Sequence, residues 1–284
     1  MTVVEQVTDP CTQHGEGPVW HSGWNGLRWV DMLVGDVLIM DSASGEISRR
    51  HVGSVAAVVR PRSRGGAIVA IERGFAIAND DISDVRPLGE IWSDTNIRMN
   101  EGSCAPDGSF FCGSMSYDET PHAGTVYRLD PEGNVTVALT DVTVSNGMGW
   151  SPDGSTVYYA DTPTQRIDVF DYADGTLSGR RTLTHIDPEK GAPDGLAIDS
   201  DGGLWVAMWG GGAIHHYTRD GALADVIELP VPRVTSCTFG GPELGELYIT
   251  TSRIATDLDA HPEAGALFRV PDVVPGTPTL PYLG

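Results

Sequence analysis

A short segment that starts with a glycine and continues with β-branched or aromatic residues recurs six times in this 284-residue chain. Gly26–Asp31 is the first copy, and residues 154–159 are the fourth. The starting glycines are spaced by 40, 42, 46, 49 and 42 residues, and they are Gly26, Gly66, Gly108, Gly154, Gly203 and Gly245. Six units of this length, each with room for three or four strands, are typical of the blades of a β-propeller. The repeat therefore predicts an all-β chain folded as a six-bladed β-propeller.

A second apolar run follows each copy and often ends in a tight turn. Residues 167–170, for example, lead into Asp174-Gly175. Asp-Gly between apolar runs is a hairpin signal. The 35 glycines and 19 prolines, about a fifth of the chain, are accordingly interpreted as turn residues. A β-sandwich pair is the alternative fold, but it would not require a regular period.

The repeats run from one end of the chain to the other. No linker, charge run or low-complexity segment divides them, so we expect one domain over residues 1–284. Residues 265–270 are expected to pair with the N-terminal segment and so to close the ring of blades.

The chain carries 18 basic and 39 acidic residues, which gives a net charge of −21. This balance argues against nucleic acid or an anionic membrane as a partner, because both attract basic surfaces. The first residues do not resemble a signal peptide, and no apolar run reaches the ~18 residues of a transmembrane helix. Neither a zinc cluster nor a disulfide framework is expected from four widely separated cysteines, Cys11, Cys104, Cys112 and Cys237. We therefore expect a cytoplasmic protein, whose oligomeric state the sequence does not indicate.

Polar residues stand at the starts of four predicted blades, each with a glycine one or two positions later. Glu16, Asn100, Asn146 and Asp194 occupy this position. Taken singly, each such pair is typical of a turn. In a propeller, however, the innermost strands surround a central channel, so residues at their starts converge. Carboxylate and amide oxygens suit Ca²⁺, Mg²⁺ or Mn²⁺ better than a thiolate-preferring metal, and the pattern therefore predicts a central metal-binding channel.

Other side chains that could take part in catalysis give weaker signals. The sequence contains no Gly-x-Ser-x-Gly nucleophile elbow. His14 either supports the nearby Glu16 or belongs to a loop. Three tryptophans at blade positions are interpreted as core between blades, and they are Trp20, Trp150 and Trp205.

Several ordered motifs together resemble the SMP-30/gluconolactonase/LRE-like family over almost the whole chain. They lie at residues 15–20, 98–102, 113–115, 145–148, 193–196, 205–207 and 234–236. The resemblance implies a six-bladed propeller with one divalent cation in its channel. It implies cation ligands at Glu16, Asn146 and Asp194, and substrate contacts at Arg98, Asn100 and Asp118. Glu101 and Cys104 depart from the family pattern, and these departures concern the substrate preference more than the metal.

The activity implied is hydrolysis of a small sugar lactone to its open-chain acid. A divalent cation can polarise the lactone carbonyl, and Asp194 is expected to act on water as general base as well as ligand. Calcium is the preferred cation, and Mn²⁺, Mg²⁺, Zn²⁺ and Fe²⁺ are alternatives. Two other functions stay open: hydrolysis of an organophosphate or another ester at the same metal site, and a non-catalytic calcium-binding propeller. Arg98 and Asn100 favour an enzyme, since a scaffold does not need them in an acidic channel.

Overall fold

The computed structural model describes residues 3–24 and 26–284, and this part of the chain forms six four-stranded antiparallel sheets. The innermost strand of each sheet contacts the innermost strands of two neighbouring sheets, and the last sheet contacts the first. The sheets therefore stand in a ring around a channel. The prediction of an all-β, six-bladed β-propeller is confirmed.

The four strand positions of the sheets, from the channel outward, are as follows. The innermost strands are β2 (Gly15–His21), β6 (Ala56–Pro61), β10 (Ile97–Cys104), β14 (Ser145–Trp150), β18 (Ala192–Ile198) and β22 (Val234–Gly240). The second strands are β3 (Gly26–Asp31), β7 (Ala67–Ile71), β11 (Phe110–Ser116), β15 (Thr156–Asp161), β19 (Leu204–Trp209) and β23 (Glu246–Thr251). The third strands are β4 (Asp36–Asp41), β8 (Gly74–Ala78), β12 (Gly124–Leu129), β16 (Arg166–Ala173), β20 (Ala213–Tyr217) and β24 (Phe268–Val270). The outermost strands are β5 (Ile47–His51), β9 (Val85–Glu90), β13 (Val135–Val142), β17 (Thr176–His185), β21 (Leu223–Glu228) and β1 (Glu5–Gln6).

Helical structure in the described residues consists of three short 3₁₀ turns. They are Ser22–Trp24, Thr162–Thr164 and Pro188–Lys190. No described helix has the length and the apolar character needed to cross a membrane.

The ring is closed by the two ends of the chain. Strand β1 pairs antiparallel with β24, so that Glu5 faces Arg269 and Gln6 faces Phe268. The Arg269 guanidinium also lies 2.6 Å from the Glu5 carboxylate. The predicted pairing of the C-terminal strand with the N-terminal segment is confirmed, and the sixth sheet contains residues from both ends of the chain.

The core lies between neighbouring sheets, because the second strand of each sheet packs against the next blade. Trp150 of one sheet contacts Phe111 of the preceding one, with ring centroids 5.5 Å apart. Trp205 meets Phe239 of the following sheet at 5.8 Å. Trp20 stacks on Tyr248 at 5.9 Å across the junction of the first and last blades. The interpretation of these three tryptophans as packing between blades is confirmed.

The C-terminal segment after β24 runs across the ends of three innermost strands. The Thr277 amide donates to the Ile198 carbonyl at 3.2 Å, and Thr279 Oγ1 donates to the Trp20 carbonyl at 2.8 Å. The Tyr282 amide then donates to Pro61 at 2.8 Å. These carbonyls belong to the last residues of β18 and β6 and to the last residue but one of β2. The segment therefore lies at the opposite end of the channel from the predicted site residues.

Candidate active site

β-Bulges near the starts of the innermost strands position the predicted site residues. In β14, Asn146 and Gly147 together face a single residue of β15. In β18, Asp194 and Gly195 together face a single residue of β19. A bulge bends its strand and redirects a side chain. The glycines are required by the close approach of the next blade: a Cβ on Gly147 would lie 2.7 Å from the Asp194 carbonyl oxygen, and one on Gly195 would lie 2.1 Å from Ser236 Oγ.

Three buried carboxylates meet in the channel at these bulges. Glu16, Glu101 and Asp194 each offer an oxygen atom, and these atoms lie within 4.8 Å of one another. The residues are 3%, 6% and 5% exposed. Burial raises the pKa of all three carboxyl groups, to about 7 for Glu101, and the charges of the other two carboxylates raise the pKa of Asp194 further. Negative charges this close and this buried are unfavourable unless a positive charge joins them.

The donor atoms fit a hard divalent cation. They are all oxygens, they are mostly anionic, and they converge from three blades. Among the residues that the structure describes, no group hydrogen-bonds the buried Glu101 Oε2 atom. An unpaired buried carboxylate oxygen is costly, and a cation ligated by it would remove that cost. The site therefore has the chemistry of a Ca²⁺ or Mg²⁺ site rather than of a thiolate site.

A chain of hydrogen bonds connects the predicted substrate residues with the predicted amide ligand. Arg98 Nη1 donates to Asn100 Oδ1 at 2.6 Å. Asn100 Nδ2 donates to Asn146 Oδ1 at 3.1 Å and to the Ser145 carbonyl at 2.8 Å. Asn146 Nδ2 donates to Thr162 Oγ1 at 2.7 Å. These bonds fix both amides, and the carbonyl oxygen of Asn146 keeps a second lone pair for a cation.

Arg98 is the buried cation of this cavity. It is 7% exposed, and its Nε atom has no partner within the described parts of the chain. Burial lowers the pKa of Arg98, while the nearby Tyr117, Glu16, Glu119 and Asp194 charges act in the opposite direction. The guanidinium still stays protonated, because an arginine pKa starts far above neutrality. A fixed positive charge thus faces the acidic site.

The cavity above the carboxylates has a volume of about 360 Å³, which lies in the range of small-molecule sites. Five of the six predicted site residues line it, namely Glu16, Arg98, Asn100, Asn146 and Asp194. Further lining residues were not singled out from the sequence as substrate contacts, and they include His14, Glu119, Thr162, Gln165 and Trp209. The structure therefore brings the predicted cation ligands and two of the predicted substrate contacts into one polar cavity.

Asp118, the sixth predicted residue, does not lie among the residues that line this cavity. Its exposed carboxylate accepts hydrogen bonds from Asn96 Nδ2 at 3.2 Å and from Thr120 Oγ1 at 2.9 Å. Hydrogen bonds from Ser116, Thr120 and Asn96 lower its pKa to about 2. The next residue, Glu119, has a left-handed backbone (φ 55°) and lines the cavity instead. The loop thus presents its acidic side chain to the cavity one position later than predicted.

Separate substitutions of Glu119 and Asp118 test which of the two acidic side chains contacts the substrate. For the small sugar lactone that the sequence leads us to expect, Glu119→Ala should raise KM about tenfold, as for the loss of one hydrogen bond to a charged group. Asp118→Asn should change KM by about twofold or less, because it keeps the hydrogen bonds that shape the loop. Initial-rate kinetics of the two variants test this expectation. A larger rise in KM for Asp118→Asn than for Glu119→Ala would return the substrate contact to Asp118.

His14 supports the site rather than lying in an unrelated loop. Its Nδ1 atom lies 2.9 Å from Ser252 Oγ, and its Nε2 atom lies 3.9 Å from Glu16 Oε1. Burial and the charge of Arg98 lower the pKa of His14 to about 3. The imidazole is therefore neutral at physiological pH, and its ring faces Trp209 edge-on at 5.9 Å between centroids.

Glu101 is the carboxylate whose place beside Glu16 and Asp194 sequence reasoning missed. It is the second residue of the β10 bulge, where Asn100 and Glu101 together face one residue of β11. The equivalent positions in β14 and β18 hold Gly147 and Gly195. The signal that could have found it is a carboxylate at a bulge position that is glycine in two other blades.

Comparison with known proteins agrees with this architecture. Residues 14–253 match the model of the SMP-30/gluconolactonase/LRE-like region. Regucalcin from Danio rerio is 34% identical over 290 residues, which cover 99% of this chain and 98% of the relative. A solved luciferin-regenerating enzyme superposes with a TM-score of 0.92 at 28% identity, with full coverage of both chains. A solved calcium-binding protein, regucalcin from Agrobacterium tumefaciens, superposes with a TM-score of 0.94 at 25% identity over 99% of this chain and 97% of its own.

The match to the family model covers most of the chain, and the full-length relative exceeds 30% identity. The chain belongs to the SMP-30/gluconolactonase/LRE-like family.

Proposed function

We propose that this protein hydrolyses a small sugar lactone, of the aldonolactone or gluconolactone type, to the open-chain acid with the help of one divalent cation. The observation that carries the proposal is one cavity of about 360 Å³ that Glu16 and Asp194 line together with Arg98 and Asn100, with the buried Glu101 carboxylate beside the other two. The family to which the chain belongs is named in part for gluconolactonase. The partner proposed is thus a small neutral molecule with several hydroxyl groups.

The residues divide into those that hold a cation and those that hold the substrate. Glu16, Asn146 and Asp194 would hold the cation, which when bound polarises the lactone carbonyl and stabilises the negative charge that develops on it. Arg98 orients ring or hydroxyl oxygens with its planar guanidinium. Asn100 hydrogen-bonds a hydroxyl group of the sugar.

Asp194 has a second task in this mechanism. A carboxylate that ligates through one oxygen keeps the other free to accept a proton. We assign Asp194 as the general base that takes a proton from the attacking water. Burial and the neighbouring carboxylates raise the pKa of Asp194 in the cation-free site. A bound cation would lower that pKa again and so keep Asp194 ionised as a base near neutral pH. The bond between the carbonyl carbon and the ring oxygen then breaks, and Asp194 returns the proton to that oxygen, which gives the open-chain acid.

Calcium is the cation that we propose first. The ligands are oxygen atoms from carboxylates and an amide on several blades, and oxygen ligands of this kind suit Ca²⁺. The solved relative from Agrobacterium tumefaciens is described as a calcium-binding protein. Mn²⁺, Mg²⁺, Zn²⁺ and Fe²⁺ are the alternatives to test. A cytoplasmic location stays a prediction from the sequence.

A second candidate function is calcium binding without catalysis. It is favoured by the names of the relatives, which are regucalcins. The buried Arg98 and the pair Asn100 and Asn146 favour the enzyme, because a binding scaffold has no use for a buried guanidinium that faces the cation site. Hydrolysis of organophosphates or other esters at the same site is a further alternative.

A pH-stat screen of γ- and δ-aldonolactones tests the proposed function. The protein is stripped with EDTA, dialysed and assayed alone and after addition of each divalent cation. We expect hydrolysis above the spontaneous rate only when a cation is present, with calcium among the active ions. Paraoxon-type phosphotriesters and simple aryl esters are assayed in parallel. The lactonase assignment fails if no lactone shows a cation-dependent rate.

A further inference from the structure

A second, smaller cavity lies on the far side of the carboxylates, toward the end of the channel crossed by the C-terminal segment. Its volume is about 110 Å³, and residues 277–280 form part of its wall. Most of its lining is apolar or neutral and comes from the later residues of the innermost strands. Among the described lining residues, Arg60 and Glu101 are the charged ones. Arg60 therefore lies on the side of the three-carboxylate cluster that faces away from the larger cavity.

Arg60 is anchored directly behind the start of strand β2, which carries Glu16. The residue is 8% exposed. Its Nη1 atom donates to the Gly17 carbonyl at 3.1 Å and to the Val59 carbonyl at 2.8 Å. Gly17 follows Glu16 in strand β2, so the backbone itself holds the guanidinium beside this predicted ligand. A buried arginine is expensive unless negative charge lies nearby, and Glu101 and Glu16 supply that charge.

Glu101 lies between the two cavities. One of its oxygens, Oε1, accepts a hydrogen bond from Ser236 Oγ at 3.3 Å. The other, Oε2, is buried and has no hydrogen-bond partner among the described residues. One carboxylate oxygen of Glu101 belongs to the set that lies within 4.8 Å of oxygens of Glu16 and Asp194. The side chain is thus placed to ligate a cation on one side and to face Arg60 on the other.

We propose that Glu101 is a third carboxylate ligand of the cation, and that Arg60 is the positioning residue whose charge holds the three carboxylates together when the cation is absent. The proposal rests on the divalent-cation site of the proposed function. When all three carboxylates are ionised they carry three negative charges, of which Arg98 and Arg60 offset two. A bound cation and Arg60 therefore compete for the same carboxylates, and Arg60 limits the affinity for the cation while it stabilises the empty site.

The signs of the expected effects follow from this competition. Removal of the Arg60 charge increases repulsion in the empty site and leaves the cation without a competing positive charge. Arg60→Met should therefore bind Ca²⁺ at least about tenfold more tightly, because removal of a buried positive charge near the carboxylates strengthens their attraction for the cation. Glu101→Gln should bind Ca²⁺ about tenfold or more weakly, because it replaces an anionic ligand by a neutral amide.

Calcium titrations of the full-length, EDTA-treated protein test the proposal without any lactone. Isothermal titration calorimetry gives Kd for Ca²⁺, and thermal unfolding in EDTA and in excess Ca²⁺ gives the stabilisation by the cation. Work at about pH 8 keeps Glu101 largely ionised, since burial raises its pKa to about 7. We expect Arg60→Met to lower Tm in EDTA and to enlarge the rise in Tm on addition of Ca²⁺. Arg60→Lys is the matched control, which keeps the charge and should stay close to the wild type.

The double variant Arg60→Met/Glu101→Gln separates charge from packing. If the charge of Arg60 acts through Glu101, the double variant should recover most of the Tm lost in EDTA by Arg60→Met alone. Two results would overturn the role of Arg60. In the first, Arg60→Met leaves both Kd for Ca²⁺ and the calcium-dependent shift in Tm unchanged. In the second, Arg60→Met binds Ca²⁺ more weakly than the wild type. Should Arg60→Met not fold, Glu101→Gln decides, and an unchanged Kd for Ca²⁺ in that variant rejects the third ligand. Since these readouts do not depend on hydrolysis, a protein that binds calcium as expected but cleaves no lactone rejects only the proposed function.

Discussion

Asp194→Asn is expected to lower kcat for lactone hydrolysis about a thousandfold, within the range of losses for a general base. Asparagine keeps the size of the side chain and one ligand oxygen, but it cannot accept the proton of the attacking water. Asp194 is 5% exposed and lies among the other carboxylates, so that bulk water cannot easily replace it as the base. Steady-state kinetics at saturating cation measure the effect.

A control and a binding measurement are needed to separate the two roles of Asp194. Asp220 is an exposed aspartate, and Asp220→Asn should leave kcat unchanged. Calorimetry with Ca²⁺ shows whether Asp194→Asn still binds the cation at the concentration used in the assay. If the variant binds the cation and also keeps most of its activity, Asp194 is a ligand only and the base must be sought elsewhere.

The second large effect is expected at Arg98. Arg98→Met should lower kcat/KM about a hundredfold, because it removes the buried planar guanidinium that is proposed to orient the oxygens of the substrate. The substitution also removes the hydrogen bond of 2.6 Å that Arg98 Nη1 donates to Asn100 Oδ1. Arg98→Lys keeps the charge but not the planar fork, so we expect it to recover only part of the activity.

Calcium affinity provides the internal control for this prediction. Removal of a positive charge near the cation site should leave Kd for Ca²⁺ unchanged or make it smaller. A fall in kcat/KM together with retained calcium binding assigns Arg98 to the substrate. Unchanged kinetics in Arg98→Met would remove that assignment and favour a binding protein over an enzyme.

The blades could be predicted from the sequence because each one repeats the same physical pattern. A glycine followed by β-branched and aromatic residues marks the second strand, which is buried between neighbouring sheets. The run from Ala67 to Ala70, for example, is fully buried. The predicted segment that starts at Gly66 corresponds to β7 (Ala67–Ile71), so the period alone located the strand to within one residue.

The convergence of Glu16, Asn146 and Asp194 could be predicted for a related reason, since residues at one phase of a propeller repeat meet at its axis. The same argument does not predict that Glu101 and Glu119 lie at the site. Glu101 is one position off phase, and only the strand register shows that a bulge turns it inward. Glu119 lies in a loop whose left-handed residue changes which side chain faces the cavity. Offsets of one residue are set by local backbone geometry, which a periodic pattern does not contain.

The pairing of β1 with β24 has a consequence for how the protein reaches its folded state. Glu5 and Arg269 are 264 residues apart in sequence, so their pairing carries a large loop-closure entropy and is expected to form late. Glu16 in the first blade and Asp194 in the fifth come together only in a completed ring. An ion bound between them therefore stabilises only the closed ring. Its binding shifts the folding equilibrium toward that closed form.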